Sequence, residues 1–120
     1  MPVIDYDVRC ETAETWTRRF TWTASGVDVP LADATATFTV KSDIDGDAIL
    51  TLSSGSGITL ADGVIDISIT DAQIRTALAG LTVTQGLFSV GLCDLVITYP
   101  DTTTKVFFSG KFVVRRSVFQ

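Results

Sequence analysis

Thr35-Ala36-Thr37-Phe38-Thr39-Val40-Lys41 and Val64-Ile65-Asp66-Ile67-Ser68-Ile69-Thr70 are the two stretches that decide the fold of this chain. In the first, Ala36, Phe38 and Val40 alternate with Thr35, Thr37, Thr39 and Lys41; in the second, Ile65, Ile67 and Ile69 alternate with Asp66, Ser68 and Thr70. Successive side chains of a strand point to opposite faces, so this period of two gives a dry face and a wet face, as in a half-buried antiparallel strand. Trp16, Phe20, Trp22 and Ala24 repeat the pattern against Thr15, Thr17, Arg19, Thr21 and Thr23, and Arg18 alone breaks it.

Outward from these stretches, turn signals recur at the short spacing of an all-β domain: Ser25-Gly26-Val27-Asp28, Asp43 to Asp47, Ser53 to Gly57, Asp62-Gly63 and Pro100-Asp101. They delimit strands near 3–10, 14–24, 34–42, 48–53, 58–60, 64–70, 87–99 and 105–117. The expected architecture is an all-β, antiparallel two-sheet sandwich of seven to eight strands, with Trp22, Phe38, Val40, Ile65, Ile67, Leu95, Ile97, Phe112 and Val114 in its core. One segment departs from the pattern. Thr70-Asp71-Ala72-Gln73 fits a capping box and Ile74, Ala77 and Leu78 share a helical face, which predicts a short helix over 71–79, ended by Gly80 and lying as a lid across one end.

The strand over 87–99 changes parity partway. Phe88 and Val90 fit one face, whereas Cys93, Leu95, Ile97 and Tyr99 fit the other. An extra residue near Gly91 would reconcile the two halves, so a β-bulge is expected there with Asp94 pointing outward.

The 120 residues suit a single domain over 1–120, without internal repeat or linker. With 46% hydrophobic and 19% charged residues, the chain is able to build a core and is not disordered. Fourteen acids against nine bases give a net charge of -5, which repels a phosphate backbone, and the doublets Arg18-Arg19 and Arg115-Arg116 would each split across two faces of a strand; no nucleic-acid partner is expected. No membrane partner is expected either, because no run approaches the ~20 apolar residues of a spanning helix. The start, Met1-Pro2-Val3-Ile4-Asp5-Tyr6-Asp7, lacks the basic and apolar regions of a signal peptide, which leads to the expectation of a cytoplasmic origin.

Histidine is absent, which removes the commonest general base, the usual activator of a Ser or Cys nucleophile and the commonest metal ligand. Neither GxSxG, a P-loop nor GxGxxG occurs, and the acids sit mostly in turns, so no catalytic residue, cofactor or metal site is expected. Asp43, Asp45 and Asp47 flank Gly46 as in a calcium loop, but Gly46 falls at the fourth position instead of the sixth and Ser54 at the twelfth instead of a Glu; a tight acidic turn accounts for the segment. Trp16 and Trp22 have the makings of a sugar-stacking platform if exposed, but they share the parity of Phe20, which assigns them to the core.

An ordered set of short pieces spans residues 16–114: Phe20-Thr21-Trp22-Thr23, Val29-Pro30-Leu31, Ala34 to Val40, Ile49-Leu50-Thr51-Leu52, Gly57 to Leu60, Gly63 to Thr70, Asp94 to Asp101 and Ser109 to Val114. In this order the chain resembles small phage tail and baseplate structural proteins, including the amino-terminal domain of siphophage baseplate upper proteins. Two departures are Thr102-Thr103-Thr104 after Pro100-Asp101, where that family commonly has Gly, and a longer stretch from Gly80 to Gly86. The resemblance implies an immunoglobulin-like sandwich serving, without catalysis, as an adaptor or accessory part of a virion tail or baseplate, made in the host cytoplasm and partnered by other virion proteins. A carbohydrate- or ligand-binding module and a capsid decoration protein are the competing readings. Cys10, Trp22 and Cys93 stand in the order of an immunoglobulin disulfide around its Trp, but Gly91 replaces the Tyr expected two before the second Cys; reduced, buried thiols are expected.

A part used in many copies needs contact surfaces. The final hairpin, 93–117, carries apolar residues on both parities, and a sandwich has edge strands open to pairing. Phe107 and Val113, with Val118 and Phe119, are therefore the candidate homo-oligomer interface, rimmed by Arg115 and Arg116.

Overall fold

The computed structural model describes residues 4–12, 14–43, 46–81 and 83–115. Among them are twelve strands: β1 (Ile4–Asp5), β2 (Val8–Glu11), β3 (Trp16–Thr21), β4 (Thr23–Ala24), β5 (Val27–Asp28), β6 (Thr35–Lys41), β7 (Ala48–Ser54), β8 (Gly57–Ala61), β9 (Val64–Ile69), β10 (Val83–Gln85), β11 (Phe88–Thr98) and β12 (Thr104–Arg115). One helix, α1 (Asp71–Gly80), lies between β9 and β10. Eight of the strands have four residues or more, in line with the seven to eight expected.

The hydrogen-bonded path runs β1-β12-β11-β6-β7-β8-β9-β3. Laid flat, β12 and β3 would stand about 29 Å apart, six spacings of ~4.8 Å. Instead the ring centroids of Phe20 on β3 and Phe108 on β12 are 5.3 Å apart. The path therefore doubles over where β7 meets β8, at a two-residue parallel bridge from Ser53 and Ser54 to Gly57 and Ile58, and the two halves face each other as a sandwich. In chain order the long strands from β3 onward divide into first, fourth and fifth (β3, β8, β9) and second, third, sixth and seventh (β6, β7, β11, β12), which is the immunoglobulin-like arrangement. The expected core residues Trp22, Phe38, Val40, Ile65, Ile67, Leu95, Ile97, Phe112 and Val114 are all buried between the layers.

Besides the β7–β8 bridge, two pairings depart from an all-antiparallel sandwich: β1 and β2 both run parallel to β12. No hairpin joins these segments, so nothing in the chain forces opposite directions. Close approach is possible because Gly110 has no side chain; a Cβ there would collide with the Tyr6 carbonyl oxygen. Asp7 then takes the place of a ladder acceptor, its Oδ1 receiving the Lys111 amide at 2.9 Å. The Arg18 anomaly resolves at this seam. Arg18 leaves the rim of the sandwich with its Nε donating to the Tyr6 hydroxyl at 2.7 Å and its guanidinium carbon 5.6 Å from the centre of that ring.

The helix begins as the capping box dictates. Gln73 N donates to Thr70 Oγ1 at 3.2 Å, and Thr70 N donates back to Gln73 Oε1 at 2.9 Å. Ile74 and Ala77 are buried, and Gly80 abuts Ile49 of β7, whose Cγ2 would lie 2.5 Å from an added Cβ. Ile49 is available because it is the extra residue where the β6–β7 register shifts, between Val40 paired with Leu50 and Lys41 paired with Ala48.

The expected bulge at Gly91 is absent. β11 keeps one parity throughout, with Ser89, Gly91, Cys93, Leu95 and Ile97 buried, and Phe88 and Leu92 exposed on the opposite face. Gly91 is inward-facing because there is no room for a side chain: a Cβ would sit 2.5 Å from Leu81 Cδ2 and 2.6 Å from the Lys41 carbonyl oxygen. Asp94 does lie on the outward parity, half-buried. The irregularity is on the neighbouring strand. Leu95 pairs with Phe108 and Val96 with Val106, which leaves Phe107 as the inserted residue on β12.

Candidate interaction surface

That bulge overturns half of the expected interface. Because Phe107 is the inserted residue, it and Phe108 both turn inward, and Phe107 is 5% exposed with its ring centroid 5.7 Å from Phe20 and 5.1 Å from Trp22. Val113 lies on the outer parity but is 7% exposed, set between Val90 on β11 and Arg9 on β2. Nor is the final hairpin an open edge, since β1 and β2 occupy the free side of β12. Arg115 is exposed, and its Nη1 meets Glu11 Oε1 at 2.6 Å. Arg116, Val118 and Phe119 lie outside the described residues.

The unpartnered apolar surface is instead the outer face of β11. Phe88 is 41% and Leu92 40% exposed, with half-buried Val90 between them and exposed Leu87 at the preceding turn. The register fixes their neighbours. Leu92 stands in a row between Lys111 on β12 and Lys41 on β6, and the next row holds Ser109, Asp94 and Thr39, with Asp5 of β1 beside Ser109. Asp5, Thr39, Lys41, Leu92, Asp94 and Lys111 line an open cleft of about 590 Å³. Burial raises the Asp94 carboxyl above its ordinary value, and the positive charge of Lys41 opposes that shift. Neither Lys41 nor Lys111 is in an ion pair among the described residues, whereas Arg19, Arg75 and Arg115 are. The bulge expected near Gly91 would have put Phe88 and Val90 on the same face as Cys93 and Leu95, which hides this surface from the sequence. The signal was present in Ser89 and Gly91, small residues on the parity that continues into Cys93 and Leu95.

Other candidates are accounted for within the fold. Trp22 is 6% exposed and Trp16 is half-buried against the core, so the two form no exposed platform. Cys10 and Cys93 are free, buried thiols, each pushed up to about 12, chiefly by burial and for Cys10 also by the proximity of Cys93. Cys93 Sγ donates to the Lys111 carbonyl at 3.6 Å. Gly46 N donates to the Asp43 carbonyl at 3.1 Å, a turn; Asp45 lies outside the described residues. On the opposite layer an open cleft of about 650 Å³ is crossed by the Arg19–Asp66 ion pair, 2.8 Å at its shortest, in which the hydrogen bond holds Asp66 below the usual carboxylate range.

No protein-family model and no curated protein matches the chain. Among solved structures it is similar to an extracellular domain of the voltage-gated sodium channel β4 subunit, described as forming parallel homodimers with a role in cell–cell adhesion. The identity is 8% over 95% of this chain and 93% of that one, with a TM-score of 0.40. Murine CRIg is similar at 11% identity over 92% of both chains, with a TM-score of 0.36. It is the strand order β12-β11-β6-β7 in one layer and β8-β9-β3 in the other that makes the fold immunoglobulin-like.

Proposed function

We propose that this chain is a non-catalytic structural component of a phage virion, an adaptor or accessory part of the tail or baseplate that acts in repeated copies and contacts other virion proteins. The observation that carries this reading is the outer face of β11. A sandwich whose outer strand positions are mostly Thr, Ser and charged residues exposes Phe88 and Leu92 on one face of a strand, with half-buried Val90 between them, a pattern suited to protein contact. The pieces that resemble baseplate proteins support it by falling on β3, β6, β7, β8, β9, β11 and β12 or the turns that join them. On this reading the protein is made in the host cytoplasm and leaves in particles at lysis. A carbohydrate-binding module would need an exposed aromatic pair, and the buried Trp22 does not provide one.

Mass spectrometry of gradient-purified particles, with copy number from isotope-labelled peptides, tests the proposal. Co-purification at a fixed multiple of a tail protein is the expected result, and labelling the particles with an antibody to this chain separates tail from capsid decoration. Recovery of the protein only from particle-free lysate would refute a virion role.

A further inference from the structure

We infer that the outer face of β11 is a self-association surface, on which a second copy of this chain stacks face to face with its β11 antiparallel. The inference names a surface for the repeated-copy assembly proposed above, but the chemistry behind it is independent of any virion.

β3, the terminal strand of one layer, carries the exposed Arg18 and Arg19. At the other end, the strand beside β12 is broken into β1 and β2 at Tyr6 and Asp7, and Asp7 has already taken the Lys111 amide. Charge and interruption are the devices by which edge strands avoid pairing, so association by strand addition is blocked at both ends. Of the large apolar residues left exposed among the described residues, Phe88 and Leu92 lie on a face, Leu87 at the turn before it and Val27 apart on β5.

The face is also charge-complementary to itself. Along β11 it reads Phe88, Val90 and Leu92, with Lys41 and Lys111 flanking Leu92, and then Asp94, with Asp5 in the same row. A two-fold axis across β11 between Leu92 and Asp94 turns the basic row of each copy onto the acidic row of the other. Lys111 then faces Ser109 of the second copy, between its Asp5 and Asp94, and Lys41 faces Thr39 beside that Asp94; Val90 comes to lie opposite Val96, Leu92 opposite Asp94 and Phe88 opposite Thr98. Neither lysine is in an ion pair within its own chain among the described residues, Lys41 acting on its own Asp94 only through the field of its charge, and this arrangement brings each lysine to carboxylates of the second copy. A two-fold contact uses the same patch on both copies, which is why both signs must occur on one patch. The size is adequate. With 11 residues in β11, and β1, β12, β11, β6 and β7 side by side at the row of Asp94, the face reaches about 37 Å along β11 and about 24 Å across, enough for the ~800 Å² per partner of a standard interface.

Sedimentation velocity over a concentration series tests the inference, with circular dichroism to verify that each variant is folded. The native protein is expected to dimerise, more weakly as salt rises. Leu92→Asp should weaken the dimer at least tenfold, and so should Asp94→Lys and Lys111→Asp taken singly. Mixing the last two variants restores opposite charges across the contact, so a heterodimer tighter than either homodimer is expected. If the native protein stays monomeric at several hundred micromolar, or its dimer is indifferent to all three substitutions, the inference fails; so does it if the mixed variants do not associate. A dimer of this kind without recovery in particles would defeat the virion reading alone, and a monomer found in particles would defeat only the self-association.

Discussion

Trp22 shows how much of this fold rests on single side chains. Its ring lies 5.1 Å from that of Phe107 and is capped by Lys105, whose Nζ is 5.6 Å from the ring centre. Replacing Trp22 by Ala removes that contact and leaves a cavity between the layers, with an expected loss of about 3–5 kcal/mol in denaturant melts. A silent substitution would show that the register placing it inward is wrong. The two thiols make a second residue-scale prediction. Since burial raises Cys10 and Cys93 to about 12, stability from keeping them neutral is present in full below the ordinary thiol value of 9.0 and is lost as pH rises through about 12. Folded protein at pH 8 should therefore react with a thiol reagent orders of magnitude more slowly than denatured protein, which should yield two thiols per chain. Protection that persists in denaturant without reductant would reveal a disulfide instead.

At the scale of elements, α1 is specified by its own ends. Thr70→Ala removes the side-chain acceptor of the capping box and should cost about 1 kcal/mol, read from the same melts. β11 and β12 follow a different rule, because neither can be interpreted alone. Gly91 is needed because the Lys41 carbonyl of β6 and Leu81 after α1 converge on the place of its missing Cβ. Gly91→Ala should destabilise by about 3 kcal/mol, at the upper end of overpacking in a close-packed interior. A β11 that contained a bulge at this point would accept the methyl group with little change, so this variant distinguishes the two descriptions of the strand.

For the whole molecule, stability and association pull in opposite directions at Asp94. Its folded-state pKa is raised by burial, so what it contributes to stability is present below the ordinary value of 3.8 and is lost as pH rises through the raised value. At neutral pH the ionised carboxylate therefore weighs against the fold. Asp94→Asn should melt at a higher temperature than the native protein at pH 7 and dilute concentration, yet associate less tightly. A variant that lost both stability and association would show Asp94 to be part of the framework. Such a trade is expected where a charge is kept for contact at the expense of folding.

The sequence by itself determined the long strands, the dry and wet faces of β6 and β9, and the helix. These follow from local rules: the period of two in Thr35 to Lys41 and Val64 to Ile69, the glycines and aspartates of the turns, and the Thr70–Gln73 reciprocity. The core positions were legible for the same reason, since an alternating strand leaves one choice of buried face. What only the tertiary structure decided concerns residues whose neighbours come from far along the chain. Parity alone misplaces Phe88 and Val90 in this way, because Gly91 is inward only when β6 and Leu81 are in place, and Phe107 is inward only when β12 slips one residue against β11. The parallel seating of β1 and β2 belongs with them. Each depends on contacts across the two layers, and a bulge shifts which face a side chain takes without changing the local hydrophobic pattern from which a sequence is read.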